Sequence, residues 1–293
     1  MSDLSFVIRH STFSIPPSPP LVMGILNVTP DSFSDGGDYF AHGAALGHAL
    51  RMIAEGADII DIGGESTRPG AQPTPTEEQI RRTIPVIRAL RARNSDVAIS
   101  IDTRSAAVAR AALDAGADVI NDVSALRDDP GMADVVAASG VAVVLMHRRG
   151  TSADMQVGGG PHYGDVIAEI TAFLRERCDF AVNRGIDRSR IIVDPGLGFG
   201  KRVEHNLAIL RHLSRFVALQ QPILVGASRK RFLGSALGTD EPKQRLAGSL
   251  TCAVIATLAG AAILRVHDVL HTVDAIRLCS AVRGTEKFGD PCP

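Results

Sequence analysis

Val97-Ala98-Ile99-Ser100-Ile101-Asp102 alternates strictly: branched apolar residues stand at the odd positions, small or polar ones at the even positions. Successive strand side chains point to opposite faces, so Val97, Ile99 and Ile101 suit a face covered by helices, and Asp102 points the other way. In a parallel α/β barrel the strand ends open onto one face, where side chains distant in sequence form a single pocket. The same setting recurs along the chain. Asn27, Asp61, Asp102, Asn121, His147, Asp194, Ser228 and His267 each lie at or just beyond the end of a short apolar run. Alternation turns Asn121 away from the direction of Ile120 and Asp194 away from that of Val193, while Arg265 and His267, two apart, share a direction.

Working outward, strand-like runs alternate with helical segments, and no internal linker interrupts them. The predicted strands are Leu21–Leu26, Asp58–Ile62, Val97–Ile101, Val119–Ile120, Val141–Met146, Ile191–Val193, Ile223–Val225 and Ala262–Val266. That is about eight, the number a closed (β/α)8 TIM barrel requires. Helical patterning covers Gly43–Glu55, Thr76–Arg93, Ser105–Ala115 and Tyr163–Arg184. Glu55-Gly56-Ala57-Asp58, Ala115-Gly116-Ala117-Asp118 and Ala259-Gly260-Ala261-Ala262 share a glycine suited to closing a helix in the left-handed conformation. A doubly wound open sheet shows the same alternation, but polar groups at so many strand ends favour closure. Any one of them could be a helix N-cap. All of them together would leave several buried polar groups unsatisfied, at about 1–3 kcal/mol apiece.

The 293 residues fit one domain: a Pro-rich N-terminal extension over 1–20, the barrel over 21–285 and a tail over 286–293. With 45% hydrophobic and 22% charged residues and a net charge of -1, the chain has the balance of a soluble globular protein, without a basic nucleic-acid surface. Cys178, Cys252, Cys279 and Cys292 form neither a CxxC pair nor a disulfide framework, so a reducing cytoplasm is the simplest setting. The N-terminus lacks a signal-peptide apolar region. Leu246 to Leu264 is broken by Gly248, Ser249, Thr251, Thr257 and Gly260, which suits a helix followed by a barrel strand rather than a membrane span. Gly196-Leu197-Gly198-Phe199-Gly200-Lys201 lacks both the P-loop and the dinucleotide spacing. Gly158-Gly159-Gly160 marks a connection, and no cysteine or serine has the setting of a covalent nucleophile.

The densest local signals are Gly24-Ile25-Leu26-Asn27-Val28-Thr29-Pro30-Asp31-Ser32-Phe33-Ser34-Asp35 and Gly63-Gly64-Glu65-Ser66-Thr67-Arg68-Pro69-Gly70. They are followed in order by Ser100-Ile101-Asp102-Thr103, Asn121-Asp122, Leu145-Met146-His147, Asp194-Pro195-Gly196, Ser228-Arg229-Lys230 and Arg265-Val266-His267-Asp268. In this set, over about residues 21 to 268, the chain resembles the dihydropteroate synthases of the pterin-binding family.

The resemblance implies a homodimeric barrel transferase of folate biosynthesis that joins hydroxymethyl-dihydropterin pyrophosphate to p-aminobenzoate with magnesium. It implies a deep pterin site of Asp102, Asn121 and Asp194, with Lys230 meeting the pterin carbonyl, and counts Met146, Gly226 and Ser228 among the substrate-binding residues. At the rim it implies Asn27 as a magnesium ligand and Arg68, Arg265 and His267 around the pyrophosphate. Asp31, Asp35, Thr67, Arg68 and Pro69 complete the aminobenzoate pocket, Phe199 supplies an aromatic wall, and Asp35, Arg68 and Lys230 carry the chemistry. The types make physical sense. Hard oxygen suits magnesium, arginine grips phosphate two-pronged, and a carboxylate accepts adjacent N–H donors.

Two positions depart from the usual family pattern. Arg231 follows the lysine of Ser228-Arg229-Lys230 where a small hydroxyl residue is frequent, and Arg148 follows His147 where a large apolar one is. The alternatives are a pterin-binding methyltransferase domain, which would not need the phosphate-oriented rim, and a paralogue that binds pterin without turnover.

Overall fold

The alternation at residues 97–102 is realised as two separate cores. Val97, Ile99 and Ile101 join a large apolar cluster that includes helix residues such as Val86 and Leu90. Ala98 joins a smaller cluster enclosed by the sheet, with Met23, Ile59, Val119, Ala142, Val144, Ile192, Leu224 and Ile263. This computed structural model describes residues 4–16, 18–29, 37–65, 73–150 and 161–284, with the side chains of 37–41 left aside.

The described strands are β1 (Ser5–Ile8), β2 (Ser11–Ser14), β3 (Leu21–Asn27), β4 (Ile59–Gly63), β5 (Ala98–Asp102), β6 (Val119–Asp122), β7 (Ala142–Met146), β8 (Ile191–Asp194), β9 (Leu224–Val225) and β10 (Ile263–Val266). Helices α1 (Gly37–Ala54), α2 (Thr76–Arg93), α3 (Ala106–Asp114), α4 (Met132–Ser139), α5 (Val166–Asn183), α6 (Val203–Arg211), α7 (Arg231–Leu237), α8 (Leu246–Leu258) and α9 (Val269–Val282) lie between and after the barrel strands. The eight strands from β3 to β10 form one sheet in the order β8-β7-β6-β5-β4-β3-β10-β9, parallel throughout. A parallel bridge from Val193 to Ile223, with the Val193 amide donating to the Pro222 carbonyl at 2.9 Å, links β8 to the residues before β9 and brings the ring round. The fold is thus the TIM barrel that the sequence implies, with strand bounds shifted by a residue or two.

Local chemistry explains the boundaries. Gly56, Gly116 and Gly260 stand at φ 99°, 107° and 91°, a region that costs other residues a steric penalty, and each closes a helix shortly before the next strand begins. Helix α5 begins at Val166 rather than at Tyr163, because the Asp165 carboxylate accepts from the Ile167 and Ala168 amides at 3.0 Å and caps it. Among the described residues no helix is long and apolar enough to cross a membrane.

The first twenty residues do more than extend the chain. β1 and β2 pair antiparallel, and fully buried Phe6, with Ile8, enters the smaller core among the starts of the barrel strands. The hairpin therefore floors the barrel at the end away from the polar strand tips, where burying one phenylalanine is worth roughly 1.5–3 kcal/mol. Arg9 fixes its turn through an ion pair to Asp118 at 3.5 Å, and its carbonyl accepts from Arg190. The prolines draw attention away from this hairpin in the sequence, although Ser5–Ile8 and Ser11–Ser14 are two short β-prone runs.

Candidate active site

Lateral register brings the strand tips into one row. Asn27 lies beside Gly63, Gly63 beside Asp102, and Asp102 beside Asn121, while Met146 lies beside Asp194 on the far wall. Gly63 keeps this row open. A Cβ there would stand 3.8 Å from Asn27 Oδ1 and 3.9 Å from Asp102 Oδ2, so Asn27 and Asp102 share one patch of the rim.

Beneath the rim lies an ionic network. Arg265, on β10, donates from Nε to Asp61 Oδ2 at 2.6 Å and from Nη2 to Asp102 Oδ2 at 2.7 Å. Asp61 is fully buried and also accepts from Ser100 Oγ at 2.6 Å and from Asn121 Nδ2 at 3.1 Å. Five groups on four strands are thereby held in mutual orientation, which suits a site that has to stay open yet rigid. Burial pushes the Asp102 carboxyl upward from the ordinary range, the Arg265 guanidinium opposes this, and the nearby carboxylates of Asp61, Glu65 and Asp122 add to the rise. Arg265 Nη1 has no partner among the described residues.

Asp194 ends β8 at the opposite wall. Its Oδ1 accepts from the Gly196 amide at 2.6 Å, and no described residue donates to Oδ2. Burial raises its pKa, against the fields of Lys230, Lys201 and Arg265 and the Gly196 hydrogen bond. The turn that follows passes close under β7: a Cβ on Gly196, at φ 70°, would collide with the His147 carbonyl oxygen, so only glycine fits. Half-buried Lys230 reaches over from the loop after β9, donates to the Leu197 carbonyl and stands 4.6 Å above the Phe199 ring. Burial pulls its amine down to about 8, Asp194 resisting.

The Ser228 turn is locked from behind. Arg229, at φ 57°, pairs with Asp268, its amide donates to Ser249 Oγ at 3.0 Å and its carbonyl accepts from Arg245 at 2.9 Å. Holding a non-glycine residue in that region costs of order 1–3 kcal/mol, which these contacts offset. Ser228 Oγ accepts from the His267 amide at 3.2 Å and lies 3.1 Å from its Nδ1, joining the tips of β9 and β10. Gly226 packs beside Arg265.

The structure therefore gathers Asn27, Asp102, Asn121, Met146, Asp194, Phe199, Gly226, Ser228, Lys230, Arg265 and His267 at one barrel end. Asp31, Asp35, Thr67, Arg68 and Pro69 lie outside the described residues. His147 does not join the pocket. Its ring packs edge-on to Phe173 of α5 at 4.9 Å, within the helical layer, because Met146 takes the inward position of the alternation. Burial and the nearby cations Lys201, Arg149 and Arg127 push its imidazole down to about 2, so it is neutral. Asp61 is the hub that the motif-based site set lacks, although alternation with Ile60 and Ile62 signals its inward direction. Of the departures, Arg231 is exposed at the start of α7, and buried Arg148 pairs with Asp128.

A model described as "Pterin binding enzyme" matches residues 23–267, which includes every one of these strand tips. The chain belongs to the pterin-binding enzyme family. Within the family it is 47% identical over 264 residues to the dihydropteroate synthase of Escherichia coli (strain K12), covering 90% of this chain and 92% of that one. It is 48% identical over 269 residues to that of Mycobacterium leprae (strain TN), with 90% and 94% covered. Among solved structures, Xanthomonas albilineans dihydropteroate synthase with 4-aminobenzoic acid superposes with a TM-score of 0.87 at 48% identity, covering 96% of this chain and 99% of that one. The same organism's enzyme in complex with 7,8-dihydropteroate gives a TM-score of 0.82 at 48% identity, with 90% and 94% covered.

Proposed function

We propose that this protein is a dihydropteroate-forming transferase that condenses hydroxymethyl-dihydropterin pyrophosphate with p-aminobenzoate and releases pyrophosphate. The observation that carries this is the open acceptor of Asp194: a buried carboxylate with one oxygen held by Gly196 and the other meeting no described donor. A pterin edge offers the adjacent N–H donors such an oxygen accepts, and the Lys230 ammonium supplies the donor for its ring carbonyl. Asn121, already bound to Asp61, presents its amide oxygen beside them. Phe199, under Lys230, gives the flat wall against which a ring stacks.

The leaving group sits at the rim in this reading. Arg265 Nη1 and the Ser228–His267 pair face the pyrophosphate from strands β9 and β10, where barrel enzymes often hold phosphate. Arg68 and Asp35 are assigned to the same end from the family pattern. The donor set fits magnesium: Asn27 offers a hard amide oxygen close to the Asp102 carboxylate, and magnesium needs only one or two protein oxygens beside water and phosphate. When bound there it would neutralise charge on the departing pyrophosphate. Cationic groups aimed at the leaving oxygens lower the barrier to breaking the methylene carbon–oxygen bond, and the pterin shares the positive charge left behind. The neutral arylamine then attacks the methylene carbon with its lone pair, so no strong general base is required beforehand, and the arylammonium formed gives up one proton to water or the released pyrophosphate.

A homodimer fits the surface. Ile255 and Leu258 of α8 and Leu278 and Val282 of neighbouring α9 are large apolar side chains left 39%, 56%, 65% and 82% exposed. A second copy is the partner that would cover them. Cys178, Cys252 and Cys279 are buried free thiols, which suits a cytoplasmic, reducing compartment. The test of function is direct: the protein, both substrates and magnesium are incubated, and dihydropteroate is looked for by mass. Absence of product from folded protein would favour a binding paralogue.

A further inference from the structure

The turn between β8 and α6 is held from behind by side chains the reaction does not use. Lys201, 4% exposed, donates to the carbonyl oxygens of Gly196 at 2.8 Å, Phe199 at 3.1 Å and His147 at 3.2 Å, and stands 3.0 Å from His147 Nδ1. Every partner is an acceptor. A neutral amine would turn its lone pair on one of them, whereas an ammonium has three donors and none to spare. Burial pulls the amine well below its ordinary value, the Lys230 and Arg149 cations add to that fall, and Asp194 opposes it, so it is the all-acceptor geometry that calls for the ammonium. The imidazole of His147 is neutral, so Nδ1 can accept.

Other contacts finish the clamp. Tyr163 Oη donates to the Gly200 carbonyl at 2.9 Å, and the Gly198 amide donates to Asn206 Oδ1 at 2.7 Å. On the pocket side, Lys230 binds the Leu197 carbonyl and covers Phe199. The backbone from Gly196 to Gly200 thus lies between two lysines, one facing substrate and one facing the helices. Asp194 feels both fields, each favouring its ionised form against burial.

We propose that Lys201 is a positioning residue for the pterin: its ammonium gathers the carbonyls of β7 and of the Gly196–Gly200 turn so that Asp194, Phe199 and Lys230 present one complementary surface. It acts through these groups, because its own N–H donors are all taken. Thr67, Arg68 and Pro69, assigned to the p-aminobenzoate side from the family pattern, belong to a different stretch of chain, between β4 and α2. The inference rests on the pterin-binding reading above.

The test compares wild type with Lys201→Met, a substitution that keeps length and removes charge and donors. Calorimetry gives the Kd for the pterin pyrophosphate, and steady-state kinetics at saturating pterin gives the KM for p-aminobenzoate, both well below the melting temperature. The expected result is a pterin Kd raised at least about tenfold, the equivalent of losing one charged hydrogen bond. The p-aminobenzoate KM should stay within about twofold. Equal pterin affinity in the folded variant, or equal losses on both substrates, would overturn the proposal and leave Lys201 a structural staple.

A second measurement needs no variant. The chain's four lysines are Lys201, Lys230, Lys243 and Lys287, so lysine labelled with heavy nitrogen gives a sparse ammonium spectrum. The slowest-exchanging signal, that of Lys201, should shift on adding the pterin pyrophosphate and stay in place with p-aminobenzoate alone. No shift with pterin would also overturn the proposal. Failure of wild type to bind the pterin would instead remove the functional reading itself.

Discussion

Asp194→Asn probes the pterin pocket most sharply, because the structure dictates how the new amide must sit. The Gly196 amide donates to Oδ1 at 2.6 Å, so the asparagine oxygen has to stay on that side. Its NH2 then takes the place of Oδ2 and faces the pterin's own donors. One hydrogen bond to a charged group, worth about 1.5–3 kcal/mol, is lost, and a donor–donor mismatch is added. At about 1.4 kcal/mol per factor of ten, pterin affinity should fall by about tenfold to more than a hundredfold. Folding should persist, since the Asp194 carbonyl still accepts from the His147 amide at 2.9 Å and the Gly196 turn keeps its acceptor. Calorimetry with the pterin pyrophosphate, run beside a thermal melt, separates the two effects. Unchanged affinity in a folded variant would mean that Asp194 serves only to form the Gly196 turn and that the pterin lies elsewhere.

Lys230 gives a pH dependence: burial pulls its amine to about 8, so it is an ammonium donor below that value and neutral above it. Pterin affinity should therefore be flat at lower pH and decline as pH rises through the Lys230 value, which calorimetric titrations from about pH 6 to 10 would follow; a profile that stays flat on the alkaline side contradicts the assignment. Asp61→Ala leaves Ser100 and Asn121 without their shared acceptor and Arg265 with Asp102 alone, so chemical denaturation should show a loss of about 3–5 kcal/mol, and a loss under about 1 kcal/mol would mean the network is not structural. Turnover should stop in excess chelator and return with added magnesium, and full activity in chelator would remove the metal role given to Asn27.

How much of this was legible in the sequence follows from which forces are local. Strand alternation comes from backbone geometry, so Val97, Ile99 and Ile101 announce their helix-facing direction and Asp102 its inward one. Helix ends are set by neighbours a few residues away, so Gly56, Gly116 and Gly260 mark their turns before any fold is known. The polar strand tips and their motif order were enough to indicate the barrel and the family. Other features depend on partners far along the chain. Alternation points Asp61 inward but does not reveal that it meets Arg265, 204 positions away. His147 sits at a strand tip like the others, yet strand register turns it toward Phe173 and into the grasp of Lys201. Lys201 looks in sequence like the end of a glycine-rich phosphate loop, and only the approach of β7 beneath the turn makes it a buried clamp on three carbonyls. Nor does the local pattern at Phe6 show what it buries against, because the floor it covers is assembled from strands spread over the chain. Sequence fixes direction along each strand; closure of the ring decides which of those directions meet.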